Sequence, residues 1–422
     1  MRGIDAFNRA KGDRRYERRL GPLTVIRTIL LASWVRLGRK ETIGLPHSRE
    51  VPAMIYSTSI GLDVHARTVC ASALVHETGE VVRSSFGYDP AAIAEWAATL
   101  PQPARAVYES GPTGFDLKRT LDGLGLPTCV GAVTKMLRPS GDRVKTDRRD
   151  ADFLARMLAV GNVVECFCPT PAQEADRDLC RLREQCRVQL MRCRHQVSKL
   201  LLRKGIRWEG KTAWSRAHME WLRALELPEP EERFVLGELV SQLEEAVRRR
   251  ARVDAEVARR AAAPEHAPVV AALSGVRGIS TLTAFCVGCE CGDLSRFGSA
   301  RAFMSFVGLV PSESSSGGSV SRGAITRAGN AHVRRLLVEA AWHHEPPLRP
   351  ALAQRMAAQA PTAALASACA RCNERLNRRF AALRARGKHG SVCAAAVARE
   401  LAGFVWAIGA EAQALAAQGS PA

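Results

Sequence analysis

Asp147 and Asp150 stand three residues apart in KTDRRDADFLARML, Lys145 to Leu158, so on a helix both carboxylates leave from one side. Ala151, Leu154, Ala155 and Leu158 follow the spacing of a buried helix face, which puts the two acids at the edge of an apolar stripe. Such a pair can hold a metal. It also has an ordinary explanation, because Thr146 is a good N-cap and acids in a first turn suit the helix dipole without any chemistry. Two further acids bear on the choice. Asp63 lies inside the apolar, β-branched run STSIGLDVHARTVCASALV, and Glu109 ends ARAVYES. A carboxylate in an apolar strand is costly to bury unless it pairs or binds a cation. One such acid is a coincidence; two, together with the helical pair, are better explained as a four-carboxylate cluster. Hard oxygen ligands in that number suit Mg²⁺ or Mn²⁺, and two such ions can clamp the attacking and leaving oxygens of a phosphodiester.

The elements that must position these acids follow from the pattern around them. Residues 57–75, the turn-forming ETGE and then VVRSSF read as a β-hairpin whose first strand carries Asp63 in its middle. A helix over Pro90 to Leu100, a strand over Ala104 to Ser110, a helix to about Leu124 and a short strand from Pro127 precede the acid-bearing helix. The order gives a mixed α/β domain over 54–165. Next comes a helical coiled-coil region, 166–264. Leu179, Leu182, Cys186, Leu190, Cys193, Val197 and Leu200 form one seam, and Leu236, Leu239, Leu243 and Ala246 another, suited to an antiparallel hairpin or a dimerising coiled coil. The basic faces of both helices are candidates for nucleic-acid contact or plain solvated surface.

A last, mainly α domain covers 265–410, with a tail over 411–422. LSGVRGISTLTAFCVGC has a helix-hairpin-helix form, and the turn bounded by Gly275 and Gly278 offers amides that can hold a phosphate. The segment SFVGLVPSESSSGGSVSRGAITRAGNAHVRRLLVEAAW reads as a Ser/Gly-rich flexible loop, a basic stretch and an apolar helix from about Ala331. Among Arg322, Arg327, Arg334 and Arg335 a serine hydroxyl can meet a phosphate held by guanidinium groups. Composition does not choose between these two roles.

The whole chain of 422 residues is 46% hydrophobic, enough to bury a core, and its formal net charge of +19 points to a polyanionic partner. Nucleic acid is favoured over a membrane surface, since no stretch reaches the roughly 18 to 20 uninterrupted apolar residues that a span needs. The 13 cysteines are scattered, with no signal peptide ahead of them, and imply a reducing bacterial cytosol. Cys286, Cys289, Cys291, Cys369 and Cys372 lack zinc-knuckle spacing and read as buried small hydrophobes. Residues 1–53 are basic and irregular, expected to be a disordered extension of the reading frame ahead of Met54.

Taken together, GLDVH (Gly61 to His65), YESGPTGF (Tyr108 to Phe115), KTDRRDADFLARML, residues 296–342 and RELAGFVWAI (Arg399 to Ile408) resemble the DEDD transposases of bacterial insertion sequences. These are relatives of the Piv/MooV DNA invertase and bridge-RNA-guided recombinases, and the resemblance runs from about Ile55 to Gly409. It implies a RuvC-like, RNase H-type N-terminal domain, a helical middle and a C-terminal transposase domain with a nucleophilic serine. Asp63, Glu109, Asp147 and Asp150 correspond to the Mg²⁺-binding DEDD set. Ser316, directly before the glycine pair, corresponds best to the nucleophile, with Ser315 as runner-up. The family further implies donor and target DNA, a non-coding bridge RNA, and a dimer that becomes a tetramer during exchange, with the serine of one protomer joining the acids of another. Two departures affect phosphate contacts only: Ala66 and Ser319 stand where the family often has Lys.

Two other functions compete with a serine- and metal-dependent recombinase. One is a RuvC-like, structure-specific nuclease of the Holliday-junction type that hydrolyses with metal-activated water. The other is a non-catalytic nucleic-acid scaffold of decayed transposon origin, against which the four intact acids argue.

Overall fold

Alternation of apolar and small residues along residues 57–75 builds not one strand but two. In the computed structural model, which describes residues 56–132, 136, 146–316 and 319–419, β1 is Thr58–Val64 and β2 is Thr68–Val75, paired antiparallel. The turn between them contains no Gly, Pro or Asn, so the β-branched pattern runs through it without a break in the sequence. It closes where the His65 amide donates to the Thr68 carbonyl at 2.9 Å. Asp63 therefore lies next to the end of β1, not in the middle of a long strand. The expected N-terminal extension, Lys145 and the glycine pair Gly317–Gly318 lie outside the described residues.

The described chain divides into two units between Phe167 and Cys168. In the first, β3 (Val81–Gly87) extends the antiparallel meander, and β4 (Ala104–Glu109) and β5 (Thr128–Gly131) add in parallel, giving the order β3-β2-β1-β4-β5. Parallel pairing requires crossovers. These are α1 (Pro90–Ala98), capped by the Asp89 carboxylate, and α2 (Asp116–Gly123). The period of two sorts the side chains. Ile60, Leu62, Ala106 and Tyr108 bury against Ile93, Leu117 and Leu121 of α1 and α2. Each such fully buried leucine or isoleucine contributes about 1.5–3 kcal/mol. Val107 and Cys129 turn to the other face and meet Leu154 of α3 (Asp147–Ala159).

That second packing requires a glycine. A Cβ on Gly61 would sit 2.1 Å from the Ala151 carbonyl oxygen and 2.5 Å from the Ala155 nitrogen, so the helix backbone rests directly on β1.

The second unit opens with α4 (Pro171–Arg203), begun by a capping box of Thr170 and Gln173. It packs along α6 (Pro230–Ala261), with α5 (Arg216–Ala224) at one end. Leu190, Cys193, Val197 and Leu200 interdigitate with Leu236, Val240, Leu243 and Ala246. The ion pairs Asp176–Arg260, Arg183–Asp254 and Lys204–Glu232 run in opposite residue order. The two seams thus form an antiparallel hairpin within one chain, one of the two arrangements that the sequence allows.

The C-terminal core gathers α7 (Ala267–Ser274), α8 (Thr281–Cys291), α9 (Ala300–Phe306), α10 (Ala331–Trp342), α11 (Pro350–Ala357), α12 (Ala363–Ala385) and α13 (Gly390–Gly419). Cys286, Cys289, Cys291, Cys369 and Cys372 are buried there as small apolar groups. Among the described residues α13 alone is long and apolar enough to cross a membrane, yet Val397, Leu401 and Val405 are fully buried in this core. It also continues through the expected tail, burying Ala412.

The Ser/Gly-rich stretch is ordered into an antiparallel pair, β6 (Pro311–Ser316) and β7 (Ser319–Ile325), with Ser316 opposite Ser319. The two residues between those partners are both glycine, the composition that a two-residue hairpin connection favours. Where the sequence reads as a loop, these residues form a strand pair instead.

Candidate functional site

The acids of the first unit are set by two adjacent strand ends and one helix start. Leu62 of β1 pairs in register with Tyr108 of β4, so Asp63 and Glu109 are the next residue of each strand. Alternation turns both toward the face that α3 covers. Asp147 and Asp150 occupy the first turn of α3, whose N-cap Thr146 accepts from the Arg149 amide at 3.4 Å. The helix is fixed over the sheet by Ala151, Leu154 and Ala155, each 1% exposed, and by a polar clamp. In that clamp the Asp152 carboxylate accepts from Arg83 at 2.9 and 2.8 Å and from the Ser72 hydroxyl at 2.6 Å. Burial alone would push the Asp152 carboxyl up, but these donors hold it below its ordinary value. Sequence reasoning missed Asp152 and Gly61; an acid on the buried side of the helix, and a glycine inside a strand, were the available signals.

The structure brings Asp63 and Asp147 together, with His65 between them. The His65 Nε2 atom lies 3.3 Å from Asp63 Oδ2 and 3.6 Å from Asp147 Oδ1, and the three donor atoms lie within 4.8 Å of one another. Burial raises the Asp63 carboxyl above its ordinary value, His65 pulls it back, and the Asp147 and Asp150 carboxylates raise it further. Asp150 is thus within electrostatic reach, and it is buried. Carboxylates that converge so as to raise the cost of ionising Asp63 are a donor set that a divalent cation would neutralise. The residues fit such an ion.

Among the described residues a second trio, Asp176, His266 and Cys289, has metal-like proximity in the other unit. There the Asp176 carboxylate already accepts from Arg260 at 2.8 and 2.9 Å and is paired with His266 at 2.8 Å. A guanidinium occupies the place a cation would take, so the trio is a buried ion pair.

Ser316 lies in the second unit as the last residue of β6. Of its side chain, and those of Ser315 and Arg322, nothing is described. The base of the hairpin is held where the Thr326 and Arg327 amides donate to Val310 and Gly308, and Arg334 donates to the Val307 carbonyl at 3.0 Å. Arg334 is pushed below its ordinary value by burial and by the neighbouring Arg327 cation. Arg335 is committed elsewhere, to Glu184 and Glu339 at 2.6 Å each.

The turn between α7 and α8 is built for packing. A Cβ on Gly278, at φ +84°, would sit 2.4 Å from the Ala340 carbonyl oxygen, and one on Gly275 would sit 2.9 Å from the Cys369 sulfur. The amides of Gly275, Val276 and Ile279 donate within the turn, and that of Arg277 to Asn373. Those four amides are used inside the protein.

The comparisons with known proteins fall on both units. Residues 270–355 match the model of the Transposase IS116/IS110/IS902 family. The chain is 37% identical over 306 residues to the putative transposase y4qE of Sinorhizobium fredii, covering 72% of this chain and 75% of that one. It is 27% identical over 301 residues to the transposase for insertion sequence element IS1533 of Leptospira borgpetersenii, covering 68% and 85%. A probable family 20 transposase of Pseudomonas aeruginosa is 26% identical over 232 residues, half of this chain and 64% of that one. With 37% identity to y4qE over 72% of this chain and 75% of that one, and the family match at residues 270–355, the protein belongs to the IS116/IS110/IS902 family of transposases.

Proposed function

We propose that this chain is the transposase of an insertion sequence, a metal-dependent DNA recombinase that cleaves and exchanges strands through Ser316. The observation that carries the reading is the convergence of Asp63 and Asp147, with Asp150 within electrostatic reach, at the end of β1. Glu109 ends the neighbouring strand, and the reading takes it as the fourth carboxylate. The order of an antiparallel meander followed by two parallel strands supports an RNase H-type, RuvC-like fold for the first unit.

In the reaction the Ser316 hydroxyl attacks the scissile phosphorus. A serine Oγ–P bond forms as a P–O bond to deoxyribose breaks, and the leaving oxygen takes up the proton that the hydroxyl gives up. One phosphodiester replaces another, so exchange needs no ATP. A bound Mg²⁺ or Mn²⁺ would make the hydroxyl more acidic and offset the phosphate charge. Asp63, Glu109, Asp147 and Asp150 would hold it; Arg327 and Arg334 supply guanidinium charge beside the serine hairpin. The reading includes a second copy, whose serine joins the acids of the first, and a bridge RNA that pairs with donor and target DNA. The +19 net charge supports both polyanions as partners, with the protein reading backbone and shape while base pairing reads sequence.

A supercoiled plasmid carrying the element's junctions tests this. Ser316→Ala should abolish strand exchange and the covalent protein–DNA species, Ser315→Ala should retain both, and Asp63→Asn should lose both. Cleavage that survives Ser316→Ala would instead identify a nuclease acting through water.

A further inference from the structure

His65 belongs to none of the roles given so far, yet it stands between two acids of the cluster. It follows β1 directly, and its backbone amide closes the turn to Thr68. The far side of that turn is tied to β3, where the Tyr88 amide donates to the Arg67 carbonyl at 3.1 Å. The imidazole is therefore carried on a short, doubly anchored turn at the end of the strand that bears Asp63.

The geometry points to His65 as a nitrogen ligand of the cation held by Asp63 and Asp147, giving a mixed N/O site that takes Mn²⁺ in preference to Mg²⁺. This rests on the metal-binding reading above and adds the identity of the ligand and of the preferred ion. Three observations carry it. First, donors around a single cation with bonds of about 2.1 Å lie roughly 3.0 to 4.2 Å apart, according to whether they are adjacent or opposite. The His65 Nε2 separations of 3.3 Å from Asp63 and 3.6 Å from Asp147 fall inside that range. Second, His65 reaches Asp63 at 3.3 Å but stands 3.6 Å from Asp147, beyond hydrogen-bond reach, so a hydrogen bond to one acid does not explain a ring placed between both. Third, the His65 and Asp147 side chains are 52% and 59% exposed while Asp63 is 21% exposed, so the cluster is open on one side to solvent and substrate. An exposed ion pair in that setting contributes about 0–1 kcal/mol, too little to account for an imidazole centred on two carboxylates.

Ligand type sets the preference. Mg²⁺ is hard, takes oxygen donors and gives up its waters reluctantly. A nitrogen donor is accepted more readily by first-row divalent metals than by Mg²⁺, and Mn²⁺ shares with Mg²⁺ the liking for carboxylate and water that the remaining donors require. One nitrogen among the oxygens of Asp63 and Asp147 therefore tips the site toward Mn²⁺ without excluding Mg²⁺.

The test uses the full chain and MnCl₂ alone, without nucleic acid. Bound Mn²⁺ is counted by the loss of the free-ion EPR signal, its ligands are read by pulsed EPR, and MgCl₂ is titrated in as competitor. The wild-type protein should show ¹⁴N modulation on the bound Mn²⁺. His65→Ala should lose that modulation, and its Mn²⁺-over-Mg²⁺ ratio should fall at least about tenfold, the loss that even an outer-shell partner of a metal ligand costs. Because His65 is half exposed, the variant should keep the wild-type melting temperature, which a parallel scan checks. Mn²⁺ that binds without ¹⁴N modulation, or with modulation unchanged in His65→Ala, would overturn the histidine assignment and leave the carboxylate site standing. Wild-type protein that binds no Mn²⁺, or binds it as well after Asp63→Asn, would overturn the metal reading and this inference with it.

Discussion

Glu290 shows how one buried carboxylate can resemble Asp63 in sequence and differ from it in role. It sits in the apolar run CVGCECGDL, 5% exposed, and the cost argument that singled out Asp63 applies to it with equal force. Here the compensation comes from the protein itself. Glu290 accepts from Arg181 at 3.2 Å and from Asn330 at 3.0 Å, with His332 Nδ1 at 3.3 Å. Burial would raise its pKa, but these partners win and bring it down to about 2. Asn330 is also the N-cap of α10, so the carboxylate holds the start of the helix that follows the serine hairpin. The folded value lies below the unfolded one, so the stabilisation is complete above about pH 4.5 and is lost as pH falls toward 2, by about 3 kcal/mol for a shift of this size. Urea unfolding across that range should show Glu290→Gln costing most near pH 6 and progressively less toward pH 2. A penalty that stays constant with pH would remove Glu290 from this role.

At the scale of elements, α3 is the piece whose placement decides whether the acids meet. Its amphipathic stripe, cap and paired acids were legible in the sequence, because all three are local patterns of one helix. The distance between that helix and β1 was not, since it depends on Gly61 lacking a Cβ and on Asp152 finding Arg83 across the sheet. The turn at His65 was hidden for the same reason: nothing local marks it, and it is closed by pairing with β2 and β3. The helical hairpin was legible as two seams and as one of two ways to pair them, and the intrachain pairing shows in its ion pairs. The sheet clamp gives a prediction at this scale. Asp152→Ala removes no cation ligand, yet it frees the first turn of α3 and leaves Arg83 and Ser72 without their acceptor. Mn²⁺ affinity should fall by about 10- to 100-fold, the cost of losing a group that orients ligands. Hydrogen exchange should quicken in α3 while α4 and α6 keep their protection. Unchanged affinity would mean that apolar packing alone positions Asp147 and Asp150.

The net charge of +19 describes the whole molecule, but it is not spread evenly among groups able to meet phosphate. On the helical hairpin, Arg248 and Arg252 share Glu245, and Arg259 pairs with Glu256, so part of the basic face read from the sequence is already neutralised by its own acids. Near the serine hairpin the balance differs. Arg327 is exposed and close enough to Arg334 to disfavour that residue's charge, a like-charge pair that a polyanion relieves. Arg335, in the helix that follows Arg327, is engaged by Glu184 and Glu339. Duplex binding should therefore weaken steeply with salt, with log K falling by about 0.9 per log unit of salt for each phosphate contact. Arg327→Gln should lower that slope by about 1 and weaken binding alike on all sequences. Arg335→Gln should leave the slope near the wild-type value, because its guanidinium is spent inside the protein. Equal slopes in both variants, measured by fluorescence anisotropy on a non-specific duplex from 50 to 200 mM salt, would show that phosphate contact is not made at this hairpin, and would shift the nucleic-acid surface to the arginines of α4 and α6.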